Sequence, residues 1–181
     1  MEFYQTICLK DGTECILRNP NSSDAASILQ HLIQTSGETE YMARYPDEIH
    51  MTEAEEAAYL REVETSSSAI MIAAVIDGTI VANAGFNPVA PFEKYRHRAE
   101  FGISIKKDYW GLGIGSVLLN ACLEAARLAG YRQMELEVVA DNERAIALYQ
   151  KFGFQTYGIR EHSFLCRDGH FETEYLMLCN L

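Results

Sequence analysis

The chain has 181 residues, enough for one domain with a sizeable core and too few for two ordinary ones, so we expect residues 1–181 to form a single domain. Hydrophobic residues make up 48 % and charged residues 23 %, which is typical of a globular protein. No apolar run approaches the roughly 18 residues of a membrane-spanning helix, and the N-terminal MEFYQTICLKDGTE lacks the basic and apolar regions of a signal peptide. A cytoplasmic protein without a membrane partner is therefore expected.

The net charge of −11, with an isoelectric point near 4.9, argues against general nucleic-acid binding, which usually depends on a basic surface. An acidic protein could attract a cationic substrate such as an amine. The plainer explanation, which the composition favours, is that the acidity maintains solubility.

The five cysteines are an odd number, are widely spaced and form no CxxC motif, so we expect reduced, buried thiols with neither a disulfide nor a metal role. They are Cys8, Cys15, Cys122, Cys166 and Cys179.

The first half of the chain predicts a hairpin followed by two helices. TICLK and TECILR flank a turn at Asp11 and Gly12, as in a two-stranded hairpin. NPNSSD predicts the start of the helix DAASILQHLIQTS, with Ser22 or Ser23 as its N-cap. After the loop GETEYMARYPDE, the stretch from Thr52 to Glu55 has the pattern of a capping box before the helix EAEEAAYLREVET.

The second half alternates strands and helices. AIMIAAVIDGTIVANAGFNP predicts two strands around a turn at Asp77 and Gly78, and AEFGISIK follows as a third strand. A glycine-rich stretch with its helix, the strand YRQMELEVVA, the helix DNERAIALYQKFG and a closing hairpin complete the chain. The order ββαα-βββ-α-β-α-ββ predicts an α/β protein of the α+β kind, a mixed sheet with flanking helices.

The stretch YWGLGIGS places three glycines, Gly111, Gly113 and Gly115, at the start of a helix. Unpaired N–H groups at a helix N-terminus favour anions, and glycines let a bulky anion such as a pyrophosphate approach. Neither the dinucleotide fingerprint G-x-G-x-x-G/A nor the G-K-(S/T) ending of a nucleoside-triphosphate loop fits this stretch. An anion-binding turn of another kind is indicated.

The segment ADNERAIALYQKFGF places Asn142, Ala145 and Tyr149 three and four residues apart, on one helical face. Asn142 lies where an N-cap belongs, and the Tyr149 phenol could donate a proton. Each residue also has a simpler explanation, in which Asn142 only caps the helix and Tyr149 only packs.

In this order the two segments resemble the GCN5-related N-acetyltransferases over roughly residues 5 to 180. The phosphate-binding signature of that family, (Q/R)-x-x-G-x-(G/A), is similar to Trp110–Gly115, with tryptophan in place of glutamine or arginine. A similar Y-W-G-x-G occurs in the branch that resembles ribosomal-protein and polyamine acetyltransferases. The second motif, N-x-x-A-x-x-x-Y-x-K-x-G-F, is matched by Asn142, Ala145, Tyr149, Lys151, Gly153 and Phe154.

The resemblance implies an acyl-coenzyme A N-acyltransferase fold, with a mostly antiparallel sheet in which two parallel strands, here AEFGISI and MELEVVA, splay apart. It also implies that acetyl-coenzyme A, the co-substrate, lies in that cleft and that no metal takes part. Its pantetheine arm would pair with backbone groups of the first strand and with Asn142, and its pyrophosphate with the glycine stretch. The implied binding residues are Ile103, Ser104, Ile105, Gly111, Leu112, Gly113, Ile114, Gly115, Ser116, Asn142 and Tyr149.

The implied reaction is direct transfer of the acetyl group to a primary amine in a ternary complex. Tyr149 would protonate the departing thiolate, while a carboxylate would deprotonate the amine, directly or through water. We expect Glu100 in that role because strand alternation places it with Arg98 on one face of its strand, together with Gly102 and Ser104, while Phe101, Ile103 and Ile105 take the other face. Glu100 could equally be an exposed partner of Arg98, and Glu137 is the second choice of base.

Several other residues are weaker candidates. Glu38 and Glu40 could hold a cationic acceptor, His97 could act as a base, and four cations could lie near the cofactor phosphates, although each has an ordinary surface explanation. These cations are Lys106, Lys107, Arg144 and Lys151.

Two other functions are compatible with the chain, a non-catalytic acyl-coenzyme A sensor or partner-binding module and a nucleotide-dependent oxidoreductase. The acceptor stays open among small amines and protein N-termini, because the first two helices and the last hairpin supply the acceptor pocket in this fold. The aromatic C-terminal hairpin is also compatible with a homodimer.

Overall fold

An eight-stranded mixed sheet forms the centre of the protein, here described by a computed structural model of residues 1–181. The strand order is β1-β2-β3-β4-β5-β6-β8-β7, and only the β5–β6 pair is parallel. The strands are β1 (Tyr4–Cys8), β2 (Glu14–Arg18), β3 (Ile70–Ile76), β4 (Thr79–Pro88), β5 (Arg98–Ile105), β6 (Gln133–Val139), β7 (Gln155–Leu165) and β8 (Phe171–Asn180). The helices are α1 (Ala25–Glu38), α2 (Glu53–Thr65), α3 (Ile114–Leu128) and α4 (Glu143–Lys151), and short 3-10 turns lie at Ser22–Asp24, Pro46–Glu48, Glu93–Tyr95 and Lys107–Tyr109.

The element order predicted from the sequence is confirmed, and the capping box before α2 is confirmed in detail. The Thr52 hydroxyl accepts from the N–H of Glu55 at 3.3 Å, and the Glu55 carboxylate accepts from the N–H of Thr52 at 2.8 Å. The predicted cap of the first helix is wrong, because neither serine occupies that position. Asn21 caps a 3-10 turn that leads into α1, and its N–H donates to the Asp24 carboxylate at 2.8 Å.

The helices cover both faces of the sheet. Strand alternation directs Ala73 and Val75 of β3 towards α1 and α2, with which they form a small buried cluster. Ile72 and Ala74 point the other way, into the main core that includes the buried face of α3. Four of the five cysteines are buried, whereas Cys8 is exposed, contrary to expectation. None of the helices is long and apolar enough to cross a membrane.

The parallel strands β5 and β6 pair over only three residues. Their register joins Arg98–Glu100 to Gln133–Glu135 and ends there, although β5 continues to Ile105 and stays paired with β4. On the other side, β6 stays paired with β8 up to Val139. The two strands therefore separate and open a cleft in the middle of the sheet, as the family resemblance implies.

A buried histidine connects α1 to this part of the sheet. The Ser104 hydroxyl of β5 donates to the Asn83 side-chain oxygen at 3.2 Å, so the His31 Nε2–H is the donor in its 2.9 Å bond to that hydroxyl. His31 is fully buried, and its Nδ1 has no partner. Burial, assisted by the positive charge of Lys106, lowers the pKa of His31 from 6.5 to about 4.

His31 should therefore make the protein sensitive to acid. The unfolded state binds a proton near pH 6.5 that the folded state accepts only near pH 4, so this contribution to stability is complete above pH 6.5 and is lost as the pH falls towards 4. The loss amounts to about 3 kcal/mol. Urea unfolding of His31→Gln between pH 7 and 4.5 should show a shallower dependence on pH than the wild type, whereas a substitution of exposed His97 should keep the wild-type slope. An unchanged slope in His31→Gln would contradict this assignment.

Candidate active site

A cavity of about 1100 Å³ occupies the cleft between the separating strands. Its walls come from β4, β5 and β6, from the glycine stretch, from α4 and from the segment between α1 and α2. The two segments that carry the family resemblance thus meet at one cavity.

The backbone of β5 divides its hydrogen bonds between two sides. The carbonyl of Arg98 accepts from the β4 side at 3.2 Å, and the N–H of Lys106 donates to that side at 2.9 Å. In an antiparallel ladder, every second residue of a strand forms backbone hydrogen bonds to the neighbouring strand. Because the β4–β5 register has no shift, the even-numbered residues between Arg98 and Lys106 bond to β4. The backbone of Ser104 is therefore occupied, and its hydroxyl bonds to His31 and Asn83. The structure corrects the expectation that the Ser104 backbone is available to a ligand.

Ile103 and Ile105 have the opposite orientation. Their N–H groups point towards β6, beyond the place where the β5–β6 pairing ends, so these groups lie on an open strand edge. Both residues line the cavity. An extended ligand could add to this edge as a strand would, which agrees with the predicted contact to a pantetheine arm.

The glycine stretch offers a row of free donors. The N–H groups of residues 111–115 make no hydrogen bond within the protein. Ser116 also lines the cavity, but its N–H donates to the carbonyl of Gly113 at 3.1 Å. Contrary to expectation, this N–H is therefore not free to bind a ligand. Five consecutive unpaired donors at the N-terminus of a 15-residue helix form a site for an anion such as a pyrophosphate.

The three glycines serve two different purposes. Gly111 and Gly113 have φ angles of +82° and +97°, a left-handed conformation that other residues adopt at a cost. Gly115 lies inside α3, where an added Cβ would stand 3.1 Å from Leu148 Cδ2 and 3.3 Å from Ile105 Cδ1. The first two shape the loop, and the third lets α3 pack closely against α4 and β5.

Trp110, which replaces glutamine or arginine of the signature, has a defined structural role. Its indole N–H donates to the carbonyl of Ile105 at 2.8 Å, which fastens the glycine stretch to the end of β5. The Arg144 guanidinium lies over its ring, 5.2 Å from the centroid. Trp110 therefore holds together the two backbone segments that face the cavity.

Positive charge near the glycine stretch comes partly from an unexpected residue. Arg144 and Lys151 line the cavity as predicted, whereas Lys106 and Lys107 do not. Lys10, in the turn between β1 and β2, also lines it, and its N–H donates to the carbonyl of Leu112 at 3.3 Å. No local signal in the sequence predicts the role of Lys10, because the contact joins segments about 100 residues apart.

Asn142 and Tyr149 lie on the face of α4 that borders the cavity. The Asn142 side-chain oxygen accepts from the N–H of Ala145 at 3.2 Å, so it caps α4 as one explanation predicted. This bond leaves the amide NH₂ of Asn142 free to donate to a ligand.

Tyr149 is almost fully buried and still borders the cavity. Its ring packs edge-on against Phe101, with centroids 6.3 Å apart, and its hydroxyl makes no hydrogen bond within the protein. Burial raises the pKa of Tyr149 well above 10, which keeps the phenol protonated at neutral pH. A protonated phenol that faces a cavity can donate its proton to a nearby anion.

Two of the predicted carboxylates line the cavity, and their surroundings differ. Glu100 is exposed and forms no ion pair, because Arg98 binds Glu135 instead, so the alternative Arg98–Glu100 pair is wrong. Glu137 accepts from both terminal nitrogens of Arg160, at 2.6 and 2.7 Å. Arg160 thus occupies both oxygens of the Glu137 carboxylate, whereas no cation pairs with Glu100.

Some predicted residues lie outside the cavity. Glu38 accepts from the N–H of Lys107 at 2.7 Å and from Gln34 at 2.8 Å, and neither Glu38 nor Glu40 lines the cavity. His97 is exposed and lies elsewhere. Leu112 and Ile114 also do not line it, and Ile114 is buried in the core, so within residues 111–115 only the three glycines border the cavity.

The opposite wall of the cavity consists of residues that sequence analysis did not identify individually. It combines polar, charged and aromatic side chains from the segment after α1, from α2, from β4 and from the last hairpin. They include Thr39, Tyr41, Arg44, Tyr59, Asn87, Phe164 and Glu174. Only the loop GETEYMARYPDE carried a signal, because it mixes acidic and aromatic residues.

Known proteins share both the sequence pattern and the architecture. The model of the acetyltransferase (GNAT) family matches residues 30–154. A L-methionine sulfoximine/L-methionine sulfone acetyltransferase of Pseudomonas aeruginosa is 30% identical over 89 residues, 49% of this chain and 52% of that protein. The N-alpha-acetyltransferase RimI of Mycobacterium tuberculosis is 37% identical over 107 residues, 58% of this chain and 63% of that protein. The match thus spans about half the length of the first of these curated relatives.

Two solved structures extend the comparison to nearly the whole chain. An acetyltransferase of the GNAT family from Streptococcus pneumoniae has a TM-score of 0.88 and 30% identity, covering 92% of this chain and 99% of that one. A phosphinothricin acetyltransferase from Sinorhizobium meliloti, solved in complex with AcCoA, shares the fold, with a TM-score of 0.81 and 20% identity over 97% of this chain and 89% of that one. The family match, the parallel strands that separate and the glycine turn agree: the chain belongs to the GNAT family of acetyltransferases.

Proposed function

We propose that the protein transfers an acetyl group from acetyl-coenzyme A to a primary amine, which attacks directly in a ternary complex. The observation that carries this proposal is the row of five unpaired N–H groups at residues 111–115, next to the open edge of β5 in a cavity that also holds the Tyr149 phenol. Membership of the GNAT family supports it, and it also makes a nucleotide-dependent oxidoreductase a poor alternative.

The residues present suit coenzyme A. Its pyrophosphate would accept from the N–H groups of residues 111–115, with Lys10 and Arg144 adding positive charge. The pantetheine arm would pair with the free N–H groups of Ile103 and Ile105 and with the Asn142 amide. When bound, acetyl-coenzyme A supplies an activated acetyl thioester.

The protein's own groups would do three things during transfer. A free N–H of β5 at Ile103 or Ile105 would donate to the acyl oxygen and stabilise the negative charge that develops there. Tyr149 would give its proton to the departing sulfur; burial keeps the phenol protonated at neutral pH, and the same raised pKa makes it a weaker acid. Glu100 would accept a proton from the incoming amine, directly or through water.

Glu100→Gln tests the base. An amine of pKa near 10 is only about 0.1% neutral at pH 7, so losing a base should cost roughly 100-fold or more in kcat/KM at that pH. The loss should shrink as the pH approaches the pKa of the amine. The measurement is the pH dependence of kcat/KM for one amine acceptor, for the wild type and for both Glu100→Gln and Glu137→Gln.

Glu137→Gln serves as the matched comparison, since both residues line the cavity. If only Glu137→Gln shows the pH-dependent loss, Glu137 is the base and Glu100 is not. If neither variant does, a water chain without either carboxylate removes the proton, which contradicts the assignment of Glu100.

For the acceptor, we propose a small amine or a protein N-terminus, in line with relatives named for methionine sulfoximine and for ribosomal protein alanine. Arg44 and Glu100 both line the cavity, and neither forms an ion pair within the protein. One unpaired positive and one unpaired negative side chain suit an amine that also carries an acidic group better than they suit a polycation. The negative net charge of the protein, in contrast, favours cations.

We further propose that two chains associate through the last hairpin. β7 is an edge strand with one side unpaired, and Tyr157 and Ile159 are 55% and 61% exposed on it. Exposed apolar groups on an edge strand favour pairing with another chain. Light scattering of the purified protein would distinguish a dimer from a monomer.

A further inference from the structure

The tip of the β7–β8 hairpin gathers three metal-binding side chains outside the active-site cavity. They are Cys166, His170 and Glu172, and their Sγ, ring-nitrogen and carboxylate atoms all lie within 4.8 Å of one another. Backbone bonds fix the turn that carries them, since the N–H of Cys166 donates to the carbonyl of His170 and the N–H of Gly169 to the carbonyl of Cys166, both at 2.9 Å. Cys166 is buried, while His170 is exposed.

A fourth residue orients the imidazole. Asp168 lies 2.5 Å from His170 Nδ1, and its carboxylate also accepts from the His170 backbone N–H at 3.2 Å. A carboxylate that holds the Nδ1 proton makes Nε2 the nitrogen that binds a metal once its own proton is released, which is the usual support of a metal-binding histidine. Nε2 faces Glu172, 3.0 Å from its Oε1.

We propose that Cys166, His170 and Glu172 bind a zinc ion, with Asp168 supporting the imidazole. Thiolate, imidazole and carboxylate are the ligands that zinc takes together in tetrahedral sites, and three protein ligands leave one position for water. Binding requires two protons to leave for solvent, one from the Cys166 thiol and one from the His170 Nε2–H that faces Glu172. The His170–Glu172 hydrogen bond is then replaced by one bond from each residue to the metal. The chain contains no CxxC motif, and the three ligands come together only when the hairpin forms.

The ion would stabilise one wall of the active site. The N–H of Arg167 donates to the Tyr45 hydroxyl at 3.0 Å, and its guanidinium binds both oxygens of Asp47 at 2.8 Å. The guanidinium also stacks on the Tyr45 ring, 4.0 Å from its centroid. The hairpin tip is thus attached to the segment between α1 and α2, whose residues 41–44 line the cavity. A bound ion should lower the KM for the acceptor without changing the affinity for coenzyme A.

Cobalt is the probe, because Co²⁺ occupies zinc sites and its bond to a thiolate gives a near-ultraviolet charge-transfer band. Titration of Co²⁺ into chelator-treated, reduced protein should produce this band with one equivalent, and one equivalent of Zn²⁺ should then abolish it. Cys166→Ser should remove the band, and His170→Gln should weaken Co²⁺ binding at least tenfold. Cys8→Ser and His97→Gln, at exposed positions elsewhere, are the matched controls and should titrate as the wild type does.

The result on the wild type decides the matter even if a variant fails to fold. No thiolate band at one equivalent of Co²⁺ would overturn the proposal and leave His170 as an ion-paired histidine between Asp168 and Glu172. A band that persists in Cys166→Ser would place the metal at another cysteine and would equally overturn it. Neither result would overturn the proposed acetyl transfer, because the metal-binding residues do not line the cavity.

Discussion

Replacing Tyr149 with phenylalanine is expected to lower kcat by about 10²- to 10⁴-fold, the usual contribution of a general acid. The affinity for acetyl-coenzyme A should stay nearly unchanged. The ring fills the same space against Phe101 and Phe154, and the hydroxyl that is lost makes no bond within the protein. Steady-state kinetics gives kcat, and calorimetric titration gives the affinity.

Tyr131→Phe is the matched control for this substitution. Tyr131 is also a buried tyrosine, but its hydroxyl donates to the carbonyl of Ser68 at 2.8 Å, away from the cavity. Its removal should cost about 1 kcal/mol of stability and leave kcat unchanged. If Tyr149→Phe reduces affinity and turnover equally, or changes neither, Tyr149 is not the acid.

Replacing Gly111 with alanine is expected to weaken acetyl-coenzyme A binding by roughly 10- to 100-fold, since a hydrogen bond to a charged group contributes about 1.5–3 kcal/mol. Gly111 has a φ of +82°, and alanine in that conformation costs about 1–2 kcal/mol, so the loop should shift and misalign its donors. An added Cβ would meet no atom within 4 Å, so a steric clash within the protein is not the cause. Calorimetric titration measures the effect.

Gly130→Ala separates the loss of binding from the loss of stability. Gly130 follows α3, has a φ of +87° and likewise has open space around its Cα, but it lies outside the cavity. Both variants should lose a similar free energy of unfolding, and only Gly111→Ala should lose affinity. Equal affinities in the two variants would mean that the glycine stretch does not hold the cofactor.

The sequence predicts the order of elements well because local signals mark nearly every boundary. The turns at Asp11–Gly12 and Asp77–Gly78 and the capping box at Thr52 each indicate an element without reference to the rest of the chain. The cap of α1 was misplaced because the segment 21–24 offers four residues that can cap, and only the observed geometry selects Asn21.

The cofactor side of the site is also largely predictable, because it depends on backbone and on two contiguous motifs. Even there, the ladder decides which groups are free, since alternation along β5 exposes Ile103 and Ile105 while it occupies Ser104. The role of Trp110 could not be predicted, because its bond to Ile105 depends on the position of the indole in three dimensions.

The acceptor side could not be predicted, because its residues come from distant segments without a shared motif. Arg44, Tyr59 and Phe164 meet only after α1, α2 and the last hairpin have packed around the cavity. The pairing of Glu137 with Arg160, which joins β6 to β7 across β8, has the same origin. Such contacts follow from topology rather than from local sequence.

The most direct test of the central proposal is the release of free thiol from acetyl-coenzyme A in the presence of a panel of amines. The panel should include amino acids, polyamines, aminoglycosides and peptides with a free N-terminus, with mass spectrometry of the product. We expect thiol release that depends on a primary amine and an N-acetylated product, with the rate of both about 10²- to 10⁴-fold lower in Tyr149→Phe. Tight calorimetric binding of acetyl-coenzyme A without acetylation of any amine would contradict it and would favour a coenzyme A sensor.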